Sequence, residues 1–123
     1  MEYENTEIGK EQPKLEAKRV KILSYEEVDV KDKNEKDIGK KLVLKVSHPD
    51  VPELEISKVK FEKAKKLKES GIWLQKDKDS NLPYNSALSH LLRHYKCSKV
   101  SELKGKEIDT TTDDNGFLIV KAY

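Results

Sequence analysis

Apolar and polar residues alternate along the first part of the chain. Val20 and Ile22 begin the pattern, which resumes after an interruption at Val28 and Val30. Alternation with a period of two is typical of half-buried strands, and a bulge near residues 24–27 would restore the register of one long, bent strand. Two further strands are predicted around the apolar positions Leu42, Leu44 and Val46, and then Leu54 and Ile56.

The spacing becomes helical after the third strand. Phe61, Ala64 and Leu67 lie on one stripe of a predicted helix over residues 58–71, and Gly71 is placed to end it. Residues 72–74 form a short apolar segment that predicts a brief strand. A second helix, capped by Asn85 or Ser86, is predicted from the i, i+3, i+4, i+7 spacing of Leu88, Leu91, Leu92 and Tyr95.

The C-terminal part predicts a β-hairpin. Asn115-Gly116 separates two β-rich runs, residues 107–112 and 117–123, and this dipeptide is a strong hairpin-turn signal. The element order is therefore β-β-β-α-α-β-β, a mainly β fold with a helical insertion. This is the order of an OB-like, five-stranded barrel with its helical region between strands three and four.

Composition divides the chain into an arm and one domain. Residues 1–16 hold five acids and two lysines, a balance of −3, with almost no apolar periodicity. We predict a disordered acidic arm over residues 1–16 and the OB-like domain over residues 17–123. The whole chain is 39% charged but carries a net charge of only +2, so net charge by itself indicates no partner.

The sequence also predicts a soluble, cytoplasmic protein. Cys97 is its single cysteine, so no intramolecular disulfide can form and a reducing compartment is favoured. The first residues lack the basic and apolar regions of a secretory signal, and no apolar run approaches the roughly 20 residues of a spanning helix. We therefore expect no membrane partner.

Three segments carry a resemblance to a known group of proteins. They are Ser-Ala-Leu at 86–88, Leu-Lys-Gly-Lys-Glu-Ile at 103–108 and Asn-Gly-Phe-Leu-Ile-Val at 115–120. The pattern resembles the small OB-fold-like, single-stranded-nucleic-acid-binding proteins of archaea, archaeal viruses and phages. There a leucine-rich helix precedes a lysine-glycine-lysine entry to strand four. The resemblance covers about residues 17–123 and implies an OB-like barrel that binds a single strand.

A lysine-rich stretch is the first candidate site. Residues 58–78 hold eight lysines against Glu62, Glu69 and Asp77, a local balance of +5. Lysines beside a groove neutralise phosphates and release counterions, although the same run also occurs as the solvated face of a helix. The candidate phosphate contacts are Lys58, Lys60, Lys63, Lys65, Lys66, Lys76 and Lys78.

Aromatic residues near this stretch are the second candidate. Single-strand binders stack bases on exposed rings, and Trp73, Tyr84 and Tyr25 are placed to do so. A tryptophan between Ile72 and Leu74 is more often a core residue. The outward face predicted for strands two and three has no aromatic and two acids. The ligand is therefore expected along residues 58–78, unless the barrel binds something else.

Metal binding and catalysis have weaker signals. His90, His94 and Cys97 follow one line of the second helix, and with His48 they have the donor types of a zinc site, yet exposed or hydrogen-bonded side chains are the commoner outcome. Phosphate-loop, dinucleotide-binding and nucleophile-elbow motifs are absent. We expect no cofactor and no catalytic residue.

The sequence therefore predicts a non-catalytic binder of single-stranded nucleic acid, DNA in preference to RNA, or alternatively a protein–protein adaptor of a replication, transcription or viral complex.

Overall fold

A computed structural model describes residues 4–6, 15–34 and 36–123. The strands are β1 (Val20–Lys31), β2 (Asp37–His48), β3 (Val51–Ile56), β4 (Lys58–Lys63), β5 (Lys66–Gly71), β6 (Trp73–Leu74), β7 (Glu107–Ile108), β8 (Thr110–Thr112) and β9 (Leu118–Ala122). A first sheet has the order β3-β2-β1-β7, with β6 also paired to β2. A second sheet has the order β5-β4-β9-β8, in which β4 and β9 run parallel.

The mainly β class is confirmed, but the predicted pair of helices is wrong. Neither sheet closes on itself within the described ranges, and the element order there contains one α-helix, α1 (Ala87–His94), and one 3₁₀ turn (Val100–Leu103). The two sheets follow each other closely along the chain, since Ser57 alone separates β3 from β4 and Asp109 alone separates β7 from β8.

The predicted helix over residues 58–71 is a β-hairpin. Val59 and Phe61 alternate at the strand period and are buried, while Leu67 of the supposed helical stripe is 52% exposed. The chain reverses at Ala64 and Lys65, which both adopt left-handed backbone angles, with φ of 52° and 63°. A turn of this kind normally carries Asn or Gly, so the local turn signal is missing from the sequence.

The first three strands and the second helix follow their predictions. Leu42, Leu44 and Val46 are fully buried, and the register of β1 on β2 shifts between Ile22 and Ser24, close to the predicted bulge. Alternation is a reliable signal here because one face of the sheet meets the core. The short strand at 73–74 also forms.

Helix α1 begins at the predicted cap. The Ser86 hydroxyl accepts a hydrogen bond from the backbone N–H of Ser89, and Leu88, Leu91 and Leu92 are buried. Such a cap satisfies a backbone donor that the first helical turn leaves free. The buried leucines fix α1 between the two sheets, which positions its exposed side beside a groove described below.

Most of the predicted acidic arm lies outside the described residues. Its last residue, Glu16, contacts the domain through its carbonyl oxygen, which lies 2.9 Å from Nε2 of His48. The ring of His48 is buried and its Nδ1 accepts from the backbone N–H of Asp50 at 3.0 Å, so Nε2 carries the proton that is donated to Glu16. Residue 16 is thereby joined to the β2–β3 turn.

The Asn115-Gly116 hairpin is confirmed. Strand β8 pairs with β9, Gly116 has a φ of 85°, and its N–H donates to the Asp113 carbonyl.

Gly116→Val is expected to lower the free energy of unfolding by at least about 1 kcal/mol, because a β-branched residue strains at positive φ. Urea unfolding measures this change. Asn115→Ala serves as the control, since Asn115 has no positive φ. An equal, small effect of both substitutions would contradict the prediction.

Candidate nucleic-acid interface

A groove of about 840 Å³ lies between the first sheet and helix α1. One wall comes from Lys40 of β2 and Leu74 of β6, and the other from Leu92 and Arg93 of α1. The segment that connects β6 to α1 also lines the groove. The groove lining is partly apolar and strongly basic: it includes the cations Lys40, Lys76, Arg93 and Lys99 and a single carboxylate, Glu27.

Tyr84 stands at the groove with one face of its ring covered. The residue is 70% exposed, and the guanidinium carbon of Arg93 lies 3.7 Å from the centroid of its ring. Arg93 also donates from Nη2 to the carbonyl oxygen of Tyr84 at 2.7 Å and from Nε to the carbonyl of Ser89 at 3.2 Å. The tyrosine is therefore tied to the helix while the remaining ring surface faces solvent.

The segment that carries Tyr84 is fastened to α1 by a second contact. The Ser89 hydroxyl donates to the carbonyl oxygen of Pro83 at 2.6 Å. Farther back, the carboxylate of Asp77 accepts from the backbone N–H groups of Asp79 and Asn81, which makes a tight turn. Lys76 lines the groove beside this turn. The exposed Lys78 lies within the turn and is not part of the lining.

The other predicted lysines lie on the β4–β5 hairpin, on two different faces. Residues directly opposite in an antiparallel pair point to the same side of the sheet. Lys58 and Lys60 share the side that carries Glu69, and Lys60 lies 3.3 Å from that carboxylate. Lys63 and Lys66 form the last pair before the turn, on the side of Phe61, and Lys65 is within the turn.

Trp73 lies away from the groove. Adjacent residues of a strand point to opposite faces, so Leu74 lines the groove and Trp73 lies on the other side of the sheet. Its ring is half-buried, with the Lys41 ammonium 4.8 Å from the ring centroid. A Cβ added at Gly39 would stand 3.3 Å from this ring, so the glycine allows the close approach.

Tyr25 is also unsuited to the predicted stacking role. It pairs with Leu44 on the inner face of β1 and packs, half-buried, against the core. Of the three aromatic candidates, the structure brings only Tyr84 to the groove. Lys76 is the one predicted lysine that joins it there.

The His90, His94 and Cys97 side chains have separate partners. His90 stacks on Phe61 with ring centroids 4.8 Å apart, and His94 meets the edge of Tyr95. Cys97 lies beyond the end of α1 and its buried thiol donates to the Tyr95 carbonyl at 3.6 Å. Across residues 4–6, 15–34 and 36–123, no group of three potential ligands is arranged to hold a metal ion.

The pKa of the His90 imidazole is lower than its ordinary value. Burial lowers the pKa of its imidazole, and the positive charges of Arg93 and Lys63 lower it further. Its buried Nε2 has no hydrogen-bond partner within the described structure. Since Lys63 belongs to the hairpin and Arg93 to the groove, His90 lies within electrostatic reach of both basic surfaces.

Sequence reasoning missed Arg93, Lys40 and Lys99 as groove residues. A signal for Arg93 did exist: Ser86 predicts the helix start, so Tyr84 precedes the first turn and Arg93 follows two turns later on the same side. Lys40 and Lys99 gave no comparable signal, because their position depends on the packing of α1 against the sheet.

The described part of the chain has no helix long and apolar enough to cross a membrane. Comparison with protein-family models, curated proteins and solved structures finds no match to this chain.

Proposed function

We propose that this protein is a non-catalytic binder of single-stranded nucleic acid, DNA in preference to RNA, and that the groove beside α1 receives the bases. The observation that carries the proposal is the Tyr84–Arg93 pair. An exposed aromatic ring held at a basic groove provides a stacking surface and a phosphate-attracting charge in one place. A cytoplasmic setting belongs to the same proposal, because Cys97 is a buried free thiol.

The chemistry of the groove suits an unpaired base. Its lining includes the side chains of Leu74, Leu82 and Leu92, which fit the apolar faces of a base. The cations at the rim outnumber the one carboxylate, so the surrounding potential favours a polyanion. A base can stack on Tyr84 only when it has left its own neighbours, and single strands meet this requirement at the lowest free-energy cost.

Tyr84→Ala is expected to weaken binding of a short oligothymidylate by about 1–3 kcal/mol, roughly 5- to 150-fold in Kd, because the stacking surface is removed. Tyr84→Phe retains the ring and should bind nearly as well as the parent. Fluorescence anisotropy of a labelled oligonucleotide measures both.

Tyr123→Ala is the matched control for this experiment. Tyr123 is also exposed and also lies under a cation, Lys121, at 5.0 Å, but it does not line the groove. The control should bind as the parent does. Equal affinities for Tyr84→Ala, Tyr123→Ala and the parent would contradict a stacking role for Tyr84. A parallel titration with oligouridylate tests the preference for DNA.

A protein-adaptor function is the second candidate, and one observation favours it. Strand β1 is paired on one edge with β2, but on its other edge it meets only β7 and the adjoining residues 105–106, near Ile22. Within the described structure, residues 24–31 have no strand beside that edge. An open edge can accept a strand from a partner protein. Absence of oligonucleotide binding at low salt would favour this function over the first.

A further inference from the structure

The two faces of the β4–β5 hairpin carry different charges. The outer side carries both acids of the hairpin, and there Lys60 and Glu69 form an ion pair. The opposite side carries Phe61, which stacks on His90 and so faces α1. The residues on this helix-facing side are Val59, Phe61, Lys63, Lys66, Lys68 and Ser70.

Three lysines on the helix-facing side have no compensating charge. Lys63 and Lys66 stand directly opposite each other, and Lys68 follows on the same side. Like charges in opposite positions destabilise a strand pair, so the hairpin by itself gains nothing from this arrangement. Over residues 4–6, 15–34 and 36–123, none of the three lysines forms an ion pair. The arrangement leaves three ammonium groups available to an external anion.

The spacing of these lysines suits a chain of phosphates. Lys66 and Lys68 are two residues apart on one strand, which separates their Cα atoms by about 6.7 Å. This distance is comparable with the separation of successive phosphates in an extended single strand. The lysines therefore form a row, with Lys63 beside it, and not one compact pocket for a lone anion.

The row lies near the groove. Phe61 lies on the same side of the hairpin as Lys63 and stacks on His90 of α1. Arg93, which holds Tyr84, lies three residues after His90 on the same helix. Helix α1 thus lies between two surfaces with different binding chemistry. The lysine row can bind phosphates, and the groove with its exposed ring can stack a base. In protein–nucleic acid interfaces, phosphate contacts position the ligand while other contacts reach the bases.

We infer that the helix-facing side of the β4–β5 hairpin is a phosphate-binding surface that holds the backbone of the strand whose bases enter the groove. The inference rests on the proposed function. It assigns Lys63, Lys66 and Lys68 to phosphate contact and leaves Lys58 and Lys60, on the other face, outside the contact.

The test compares a triple variant with a matched one. K63Q/K66Q/K68Q removes the lysine row, and K21Q/K31Q/K104Q removes the same number of charges from exposed positions elsewhere. Affinity for oligothymidylate is measured between about 50 and 200 mM salt, where each neutralised phosphate contributes about −0.7 to the slope of log K against log salt.

The row variant should reduce the magnitude of this slope by about 2 relative to the parent. Because the lines converge near 1 M salt, this corresponds to about 100-fold weaker binding at 0.1 M. The control should retain most of the parent's slope. Thermal unfolding of the row variant should match or exceed that of the parent, since like-charge repulsion is removed.

The possible failures are distinguishable. If the row variant and the control have the same slope while the parent binds, the phosphate surface is overturned and the groove proposal stands. If the parent fails to bind at low salt, the proposed function is overturned and this inference falls with it.

Discussion

Leu91→Ala is expected to lower the free energy of unfolding by about 2–5 kcal/mol. Leu91 lies in the middle of α1, is fully buried, and belongs to the cluster that joins the helix to both sheets. Truncation removes apolar contacts and leaves a cavity that the sheets cannot close without moving. Urea denaturation followed by circular dichroism measures the change.

An exposed leucine provides the control for this prediction. Leu67→Ala changes the same number of atoms at a position that is 52% exposed, and should cost no more than about 0.5 kcal/mol. A similar small loss for Leu91→Ala would show that α1 is not anchored as described. The position of Arg93, and with it the groove wall, would then lose its physical basis.

Tyr95→Phe is expected to lower the free energy of unfolding by at least about 2 kcal/mol at neutral pH. The Tyr95 hydroxyl accepts from the backbone N–H of Asp109 at 2.9 Å and donates to the carbonyl of Lys121. It thereby links the end of α1 to the residue between β7 and β8 and to strand β9. Phenylalanine fills the same space but leaves both backbone groups without this partner, each at about 1–3 kcal/mol.

The same tyrosine predicts an alkaline loss of stability. Burial is the main cause that raises the pKa of Tyr95 to about 12 from its ordinary value of 10. The folded protein therefore favours the neutral hydroxyl, and its stabilising contribution is complete below pH 10 and is lost as pH rises from 10 through about 12. The parent should lose more stability over this range than Tyr95→Phe, which lacks the titrating group.

Tyr25→Phe is the control for both measurements, because the Tyr25 side chain packs half-buried against the core and has no hydrogen bond in the described structure. It should be close to neutral in stability. Parallel alkaline unfolding curves for the parent and Tyr95→Phe would contradict the assignment of this pH dependence to Tyr95.

Local patterns predicted the elements whose signals lie within one segment. The alternation of Leu42, Leu44 and Val46 and the cap at Ser86 each depend on neighbours a few residues away, and both are found as predicted. Asn115-Gly116 is a turn for the same reason, since its backbone preference is intrinsic to the dipeptide.

The sequence did not predict the β4–β5 hairpin, because the residues that stabilise it are distant in the chain. Phe61, Ala64 and Leu67 have helical spacing, yet Phe61 pairs with Ala122 of β9 and stacks on a helix that follows about 30 residues later. Pairing and burial override local propensity, and the Ala64–Lys65 turn offers no glycine to signal it.

The candidate site was predictable only in its residue types. A lysine-rich stretch and an exposed tyrosine were expected, and Lys76 and Tyr84 do meet at the groove. The division of lysines between the two faces of the hairpin required knowing that residues 58–71 form strands, since a helix would have distributed the same charges differently. Trp73 could not be assigned, because its face depends on pairing with β2.

An NMR titration of isotopically labelled protein with a short oligothymidylate, at about 50 mM salt, tests the proposed interface most directly. We expect saturable amide shifts at the groove, around Lys76, Tyr84 and Arg93, and along the hairpin from Lys63 to Lys68, and these shifts should weaken as salt is raised. Shifts confined to the opposite face of the first sheet around Lys41 and Trp73, or no shifts at all, would contradict the proposed interface.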